Sequence, residues 1–239
     1  MKKAPLFLVI LLVTCSIVYS QEIKIGVKGG LNLNEIGELY HYGNDSGLGI
    51  NVTPNENTVY KGEQDIGTQL GVFVMVNFDG FFIRPELNFV SLKNAYVLAN
   101  NTVDWTTNKI DFPILLGYEI YKPISVYGGP IFSSISNLKL EGLDYGKVIS
   151  YNKSSIGFGA GILMEFDILG VDIRYQYTIT KEKAQRIDMN RDSTGTNIAD
   201  LLEYNPSQIM VSIHINILNL SNIKSKKGLR SGWRNHKYL

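Results

Sequence analysis

The feature that most constrains the fold is a set of eight segments in which apolar and polar side chains alternate one by one. In the first segment, for example, Ile23 and Ile25 alternate with Lys24 and Gly26. Successive side chains of a β-strand point to opposite faces, so this period of two predicts strands with one apolar and one polar face. The predicted strands cover residues 22–34, 67–78, 81–92, 108–120, 124–134, 155–166, 171–179 and 208–218.

The connections between these segments alternate between short and long. Three are tight, at residues 79–80, 121–123 and 167–170, and four are long and polar, at residues 35–66, 93–107, 135–153 and 181–205. In an antiparallel ring, this order places every tight turn at one rim and every long loop at the other, as in outer-membrane barrels. The sequence therefore predicts an all-β fold: an eight-stranded antiparallel up-and-down transmembrane β-barrel with short periplasmic turns and four long outer loops.

The two faces of the predicted strands differ in charge. The apolar face is bulky and nearly free of charge, which is typical of a surface in contact with lipid. The polar face carries glycines and balanced charges, and an eight-stranded barrel is only wide enough for side chains to fill it. We therefore expect no open solute pore and a polar network in the lumen, formed by Lys24, Lys28, Arg84, Glu86, Lys109, Asp111, Glu119, Glu165, Asp172, Arg174 and His214.

Two further local features carry predictions. Tyrosines near strand ends suit an aromatic girdle at the membrane interface; they are Tyr118, Tyr121, Tyr127, Tyr175 and Tyr177. The pair Leu201 and Leu202 suggests a short helix in the last long loop.

The N-terminus predicts export. Lys2 and Lys3 precede an apolar run, and the small residue Ser20 precedes Gln21, which is the order of a secretory signal peptide. The predicted domains are a signal peptide over residues 1–20, an outer-membrane barrel over 21–218 and a basic periplasmic tail over 219–239. Cys15, the single cysteine, lies inside the predicted signal. Its sequence context fits a lipidation site poorly, so we expect an inert position.

Charge is unevenly distributed. Of the 23 basic residues, two lie before residue 4 and six after Leu218, whereas all 22 acidic residues lie between these ends. The predicted barrel is thus net acidic, which argues against nucleic acid as a partner. The basic tail could remain solvated, or it could contact an acidic periplasmic partner, lipid headgroups or the cell wall.

Several short stretches, taken together in their order, resemble the PorT-like outer-membrane β-barrel family of Bacteroidetes. They are Gly26–Leu33, Arg84–Leu87, Ile110–Leu116, Tyr127–Pro130 and Gly157–Gly161. The resemblance implies a location in the outer membrane of a Gram-negative bacterium. Members of the family are often described as porin-like, and one branch is tied to protein secretion. The family has no shared catalytic residues to transfer to this chain.

The sequence contains no convincing catalytic constellation, metal site or cofactor motif. The histidines, His41, His214 and His236, lie far apart in sequence and lack the spacing of metal ligands. We expect a monomeric, non-catalytic barrel in membrane lipid with a structural or surface-interaction role. Two alternatives stay open: a subunit of an outer-membrane secretion or envelope complex, contacted through periplasmic turns and tail, and a soluble or lipid-anchored barrel for a small apolar ligand.

Overall fold

A computed structural model of the chain describes residues 22–41, 58–98, 102–141, 150–188 and 198–220. The predicted signal segment with Cys15, most of the basic tail and His236 lie outside these residues. The described elements are twelve strands: β1 (Glu22–Glu35), β2 (Leu39–His41), β3 (Thr58–Tyr60), β4 (Glu63–Phe78), β5 (Phe81–Val97), β6 (Thr102–Tyr121), β7 (Ile124–Glu141), β8 (Ser154–Glu165), β9 (Leu169–Thr178), β10 (Gln185–Asp188), β11 (Ile198–Leu201) and β12 (Ser207–Asn219).

Eight of these strands close into a barrel. Their order around the ring is β1, β12, β9, β8, β7, β6, β5 and β4, and β4 pairs again with β1. Every neighbouring pair is antiparallel, and strands that follow one another in the barrel are neighbours, as in an up-and-down topology. Closure leaves no barrel strand with an unpaired edge, which a lipid-embedded sheet requires. The predicted fold class is confirmed.

The tight turns lie at one rim, as predicted. Asp79 and Gly80 both have positive φ, 48° and 87°, which is the backbone of a primed two-residue hairpin turn. Glycine accepts this conformation without a Cβ clash, and aspartate is among the residues that tolerate it. The second turn contains Lys122 and Pro123, and the third lies between β8 and β9.

The apolar faces of the barrel strands point outward. The side chains of Phe112, Ile162 and Ile213 are 43, 48 and 58 % exposed, so they do not pack at the centre of the ring. A soluble barrel that binds an apolar ligand needs the opposite arrangement, with its apolar side chains inside. Within the described ranges, no helix combines the length and the apolarity needed to cross a bilayer.

The barrel strands extend farther on the long-loop side than predicted. The expected loop over residues 93–107 is mostly strand, because β5 continues to Val97 and β6 starts at Thr102. β7 likewise continues to Glu141. A tilted membrane crossing takes about 9–11 residues, so the 20 residues of β6 reach well beyond the bilayer. The sequence prediction missed these extensions because outside the membrane the outward face turns polar and the lipid-facing pattern ends.

The long loops form a second sheet, here called the outer sheet. Its strands are β10, β11, β2 and β3 in that order, and the three pairings are antiparallel. The short helix predicted at Leu201 and Leu202 is wrong, because Leu201 ends β11 and pairs with both Gln185 and Leu39. Tertiary pairing between distant loops overrides the local sequence preference here.

Candidate functional site

A cluster of charged side chains crosses the barrel interior and is here called the central ionic cluster: Lys28, Arg84, Glu86, Asp172 and Arg174. Each of these residues is at most 2 % exposed. Arg174 Nη1 and Nη2 donate to the two carboxylate oxygens of Glu86 at 3.0 and 2.8 Å, and Nη2 also donates to Asp172 at 3.1 Å. Lys28 Nζ donates to Glu86 at 3.2 Å and to Asp172 at 2.9 Å. Each acid thus contacts more than one cation.

The alternation of the strands brings these five residues together. They come from β1, β5 and β9, and all lie at positions whose side chains point to the inward face of the strand. These side chains are shielded from bulk solvent, so each charge depends on its neighbours for stabilisation. Replacing one partner of such a buried pair typically costs about 3–5 kcal/mol, because the other charge is left uncompensated.

Tyr127 belongs to the same cluster. Its hydroxyl donates to Asp172 Oδ1 and accepts a hydrogen bond of 3.0 Å from Arg174 Nε. The predicted place of Tyr127 in an aromatic girdle is therefore wrong, since the ring is buried in the lumen. The glycines and the proline beside it in β7 obscure the alternation that would have revealed its face. A Cβ on the facing Gly161 would lie only 2.5 Å from the Tyr127 hydroxyl oxygen, so this glycine leaves room for the ring.

Arg84 gives the cluster one more cation than it has carboxylates. Its Nε lies 3.0 Å from Glu86 Oε1, an ion-pair distance, but without hydrogen-bond geometry. The guanidinium carbon lies 4.1 Å from the centre of the Phe73 ring, which is a cation–π contact. The His214 ring meets Phe73 edge-on at 5.0 Å between centroids. His214 has no hydrogen-bond partner among the described residues.

A second polar group lies nearer the outer sheet. Lys109 Nζ lies 3.0 Å from Asp111 Oδ2, and Gln176 Nε2 donates to the same oxygen at 3.4 Å. Gln208 then donates to Gln176 at 2.7 Å. These contacts join β6, β9 and β12 across the interior.

The remaining predicted lumen residues lie at the short-turn rim. Lys24 Nζ donates to Glu165 at 2.8 Å, and Asn216 donates to the same carboxylate oxygen at 3.1 Å. Glu119 is half-buried and lines the cavity at this rim, with no ion-pair partner in the described part of the chain. The eleven predicted residues thus fall into three groups: the central cluster with His214, the Lys109 pair, and the rim.

Sequence reasoning missed an apolar layer inside the barrel. Phe73, Met75, Phe82, Leu115 and Leu163 are buried and pack together with Tyr127. Leu115 pairs directly with Arg84, and Phe73 pairs directly with Glu86. The layer therefore packs against the central cluster, and Phe82 extends it two residues toward the short-turn rim. Strand alternation could have revealed this layer, because these residues occupy inward positions that the prediction left unassigned.

The outer sheet has its own apolar core, here called the outer core: Leu39, Tyr96, Leu98, Val103, Trp105, Ile187, Ala199 and Leu201. It joins the extended ends of β5 and β6 to the outer-sheet strands. Tyr96 Oη donates to the carbonyl of Gly37 at 2.5 Å, and Trp105 Nε1 donates to Thr107 at 3.1 Å. Packing of this kind holds the loops in one arrangement.

A carboxyl group is partly buried between the outer sheet and the barrel. Glu182 forms an isolated backbone bridge with Tyr204, and its carboxylate accepts a hydrogen bond of 3.1 Å from the backbone N–H of Asn152. Burial raises the pKa of Glu182 above its usual value, although the bond from Asn152 partly opposes the shift. Burial also raises the pKa of Tyr204.

In the ranges the structure covers, no three histidine, cysteine, aspartate or glutamate side chains are grouped to hold a metal ion. The buried carboxylates of the central cluster are engaged by cations and hydrogen bonds. What the arrangement can do is brace a closed barrel and support a folded surface outside it.

Several solved structures are similar to the chain at low identity. Neisserial surface protein A is 13 % identical over 82 % of this chain and 97 % of its own, with a TM-score of 0.41. The outer membrane protein OprG from Pseudomonas aeruginosa is 12 % identical over 82 % and 94 %, with a TM-score of 0.47. Ail, the attachment invasion locus protein of Yersinia pestis, is 13 % identical over 82 % and 97 %, with a TM-score of 0.41. These values transfer no residue or role to this chain, and no curated protein matches it.

A family model described as "Outer membrane protein beta-barrel domain" matches residues 6–214, which is most of the chain. The match covers the first seven barrel strands in chain order and most of the eighth, β12. Together with the closed ring and its outward apolar face, it identifies both the compartment and the kind of protein. The chain belongs to the outer membrane protein beta-barrel domain family, and it resides in the outer membrane of a Gram-negative bacterium.

Proposed function

We propose that this protein is a non-catalytic, monomeric outer-membrane barrel that presents a rigid surface outside the cell, on a lumen filled by side chains. The observation that carries the proposal is the outer core. Strand connections that only close hairpins need no buried tryptophan or tyrosine. Here Trp105 and Tyr96 are 2 and 0 % exposed, at strand ends that project beyond the bilayer.

The filled lumen is the first part of the proposal. Its polar network comprises Lys24, Lys28, Arg84, Glu86, Lys109, Asp111, Glu119, Glu165, Asp172, Arg174 and His214. Support comes from the ion pairs of the central cluster and from the apolar layer packed against it. The cavity under the outer sheet has a volume of about 50 Å³, whereas the short-turn rim opens into a wider cavity of about 970 Å³. Planar bilayers containing the purified protein should show no steady conductance, and a stable open channel would contradict this part.

The surface role is the second part, and disrupting the outer core tests it. Trp105→Ala should loosen the outer sheet, because truncating a buried tryptophan costs about 3–5 kcal/mol. The barrel should keep its heat-modifiable migration on gels, since the membrane-embedded strands are untouched. Cells that display the wild-type protein should bind at least one immobilised polysaccharide or extracellular-matrix protein better than cells with this variant. Trp105→Phe is the matched control. Equal binding by all three cell lines on every surface would contradict a surface role.

A second candidate is a subunit of a secretion or envelope complex. The resemblance to the PorT-like family of Bacteroidetes supports it, and so do the six basic residues after Leu218, which we propose lie in the periplasm. Pull-down from solubilised envelopes, with the full chain and with a chain ending at Leu218, tests it. A partner captured only by the full chain supports the complex, and identical captures contradict a role for the tail.

Export through a cleaved signal peptide completes the proposal. Residues 1–20 have the order of basic, apolar and small residues that a signal peptidase reads. N-terminal sequencing of the protein from outer membranes should begin at Gln21. A chain that retains Cys15 with an attached lipid would contradict this assignment.

A further inference from the structure

A groove indents the outward face of the barrel across β4, β5 and β6 and is here called the lateral groove. Its volume is about 390 Å³, within the range of small-molecule sites, about 300–1,000 Å³. The side chains that form its walls point away from the lumen, and they include Thr68, Leu70, Phe89, Ser91, Asn108 and Ile110.

Irregular strand pairing borders the lateral groove on two sides. The pairing of β4 with β5 shifts next to Thr68. In β7, Ser136 is an extra residue, because Ile135 and Asn137 pair with consecutive residues of β6. Ser136 Oγ donates a hydrogen bond of 3.0 Å to the carbonyl of Asn108. Such bulges bend a strand and disrupt its ladder, so the outward surface is indented between them.

The groove crosses a change of polarity on the outward face. Exposed apolar side chains are paired across the three strands at one level: Leu70, Phe89 and Ile110. Polar side chains are paired in the same way two residues farther from the short turns: Thr68, Ser91 and Asn108. Outer-membrane barrels keep their outward apolar band within the hydrocarbon of the bilayer. The groove therefore straddles the outer boundary of the hydrocarbon.

Two lysines lie at the next level away from the bilayer. Lys93 on β5 and Lys139 on β7 are both paired with Thr106 on β6, so their side chains share the outward face. Neighbouring strands lie about 4.8 Å apart, which puts the two lysine backbones about 10 Å apart. Each ammonium group sits on a flexible stem, so both can reach one anionic group between them.

Neither lysine is engaged by an acid. Both side chains are exposed, and neither has an ion-pair partner in the described part of the chain. Asp65 is paired with Lys93 in the strand register, but its carboxylate accepts a hydrogen bond of 2.7 Å from the Ile66 N–H. Asp104 and Glu141 are paired one level farther from the bilayer. The two ammonium groups are therefore the first exposed charges beyond the groove on β5 and β7.

We propose that the lateral groove binds one phosphate-bearing lipid of the outer leaflet. An acyl chain lies along Leu70, Phe89 and Ile110, and the phosphate lies between the two lysines. The groove is apolar on the bilayer side, polar at the boundary and cationic beyond it, which is the order of groups along such a lipid. A free inorganic anion would leave the apolar part unused, and an uncharged lipid would leave the lysines unused.

Titration with defined lipids tests the proposal. The protein is purified from outer membranes and delipidated in a neutral detergent, and native mass spectrometry follows the first lipid that binds. The probes are dimyristoyl phosphatidic acid and dimyristoyl phosphatidylcholine, which have the same chains and differ in the charge of the headgroup. The wild-type protein should bind the phosphatidic acid about tenfold or more tightly, because lysines near the membrane surface attract anionic lipid.

Removing the two charges should abolish that preference. Lys93→Gln with Lys139→Gln should bind the two lipids with equal affinity. Lys61→Gln with Lys183→Gln is the matched control, since it removes the same charge from two exposed lysines outside the groove. This control should keep the preference within about twofold, because salt screens charges beyond the Debye length.

Filling the groove tests the place of the acyl chain. Ser91→Phe adds a bulky side chain to the polar level without changing the charge. It should weaken the binding of both lipids about fivefold or more, because less apolar surface of the chain is buried. Ala160→Phe is the matched control, at an exposed outward position of β8 outside the groove, and should bind both lipids as wild type does.

Equal binding of the two lipids by the wild-type protein would overturn the proposal, and so would an unchanged preference in the double lysine variant or unchanged binding by Ser91→Phe. Displacement of the phosphatidic acid by an equal concentration of inorganic phosphate would also overturn it, since the site would then recognise a free anion. Heat-modifiable migration of each variant shows that its barrel is folded, so weaker binding cannot be attributed to misfolding.

Discussion

Arg174 on β9 and Glu86 on β5 form a bidentate ion pair between strands on opposite sides of the barrel. Three strands separate β5 from β9 in each direction around the ring, so this contact spans its diameter. Lys28 on β1 lies two strands from each and donates to acids on both sides. The central ionic cluster therefore braces the barrel from three directions.

Removing the shared carboxylate should destabilise the barrel strongly. Glu86→Gln keeps the size of the side chain but leaves Lys28, Arg84 and Arg174 with Asp172 as their only acid in the cluster. We expect a loss of about 3–5 kcal/mol in the free energy of unfolding, measured by urea titration in lipid vesicles. Glu22→Gln is the control: this rim carboxylate is partly exposed, so its loss should cost no more than about 1 kcal/mol. Equal losses for both variants would contradict the bracing role.

The space opposite Tyr127 should not tolerate a side chain. The Cβ of Gly161→Val would lie 2.5 Å from the Tyr127 hydroxyl oxygen and closer still to the Ile173 carbonyl oxygen. The β8–β9 backbone and the ring must therefore shift, which weakens the contacts of Tyr127 with Asp172 and Arg174. Overpacking of this kind costs about 1–3 kcal/mol, which the same urea titration detects. Gly29→Ala is the matched control, because its Cβ would meet no atom closer than 3.8 Å. The assignment fails if Gly161→Val is as stable as the control.

A charge on the outward face should block assembly. Ile162 lies between Val126 and Ile173 on neighbouring strands, and all three side chains are exposed on the lipid-facing surface. Ile162→Arg should cost up to about 2–4 kcal/mol, depending on its depth in the bilayer. The readout is the fraction of protein with heat-modifiable migration. Ile162→Leu should behave as wild type. Gly159→Ser should be milder than Ile162→Arg, because its Cβ is too close only to the end of the Ile131 side chain, at 2.7 Å, and meets Arg174 Cδ at an ordinary 3.4 Å. Normal assembly of Ile162→Arg would invert our assignment of faces.

The loop around Glu182 should loosen as pH rises. The pKa of this carboxyl is raised in the folded loop, so the folded form binds its proton more tightly than the unfolded form does. The resulting stabilisation is complete below the unfolded pKa, near 4.5, and is lost as pH rises through the folded pKa. Amide hydrogen exchange of residues 180–188, corrected for intrinsic rates, should show less protection at pH 7 than at pH 4.

Glu182→Gln is the control for that pH dependence. The amide oxygen can still accept the bond from the Asn152 N–H, but the side chain no longer titrates. Protection in this variant should be the same at both pH values. A pH dependence that survives the substitution would assign the effect to another group.

The sequence predicted side-chain orientation best where one face of a strand contacts lipid and the other face contacts the barrel interior. Ile162 and Ile213 face lipid and Lys28 and Glu86 face the interior, so simple alternation placed all four on the correct face. It was least informative where a strand carried glycine and proline, as beside Tyr127, and where the strands left the bilayer, as at Trp105. In both places one-by-one alternation no longer distinguishes inside from outside.

By itself, the sequence determined the number of barrel strands, their antiparallel order, the rim of the tight turns and the faces of the charged residues. These follow from a period of two and from connection lengths, which are local properties of the chain. Only the tertiary structure decided that Glu86 meets Arg174 across the ring, that Phe73 and Leu163 form an apolar layer, and that the loops build an outer sheet around Trp105. Those contacts depend on ring closure and on the stagger between strands, which bring residues dozens of positions apart to one level of the barrel.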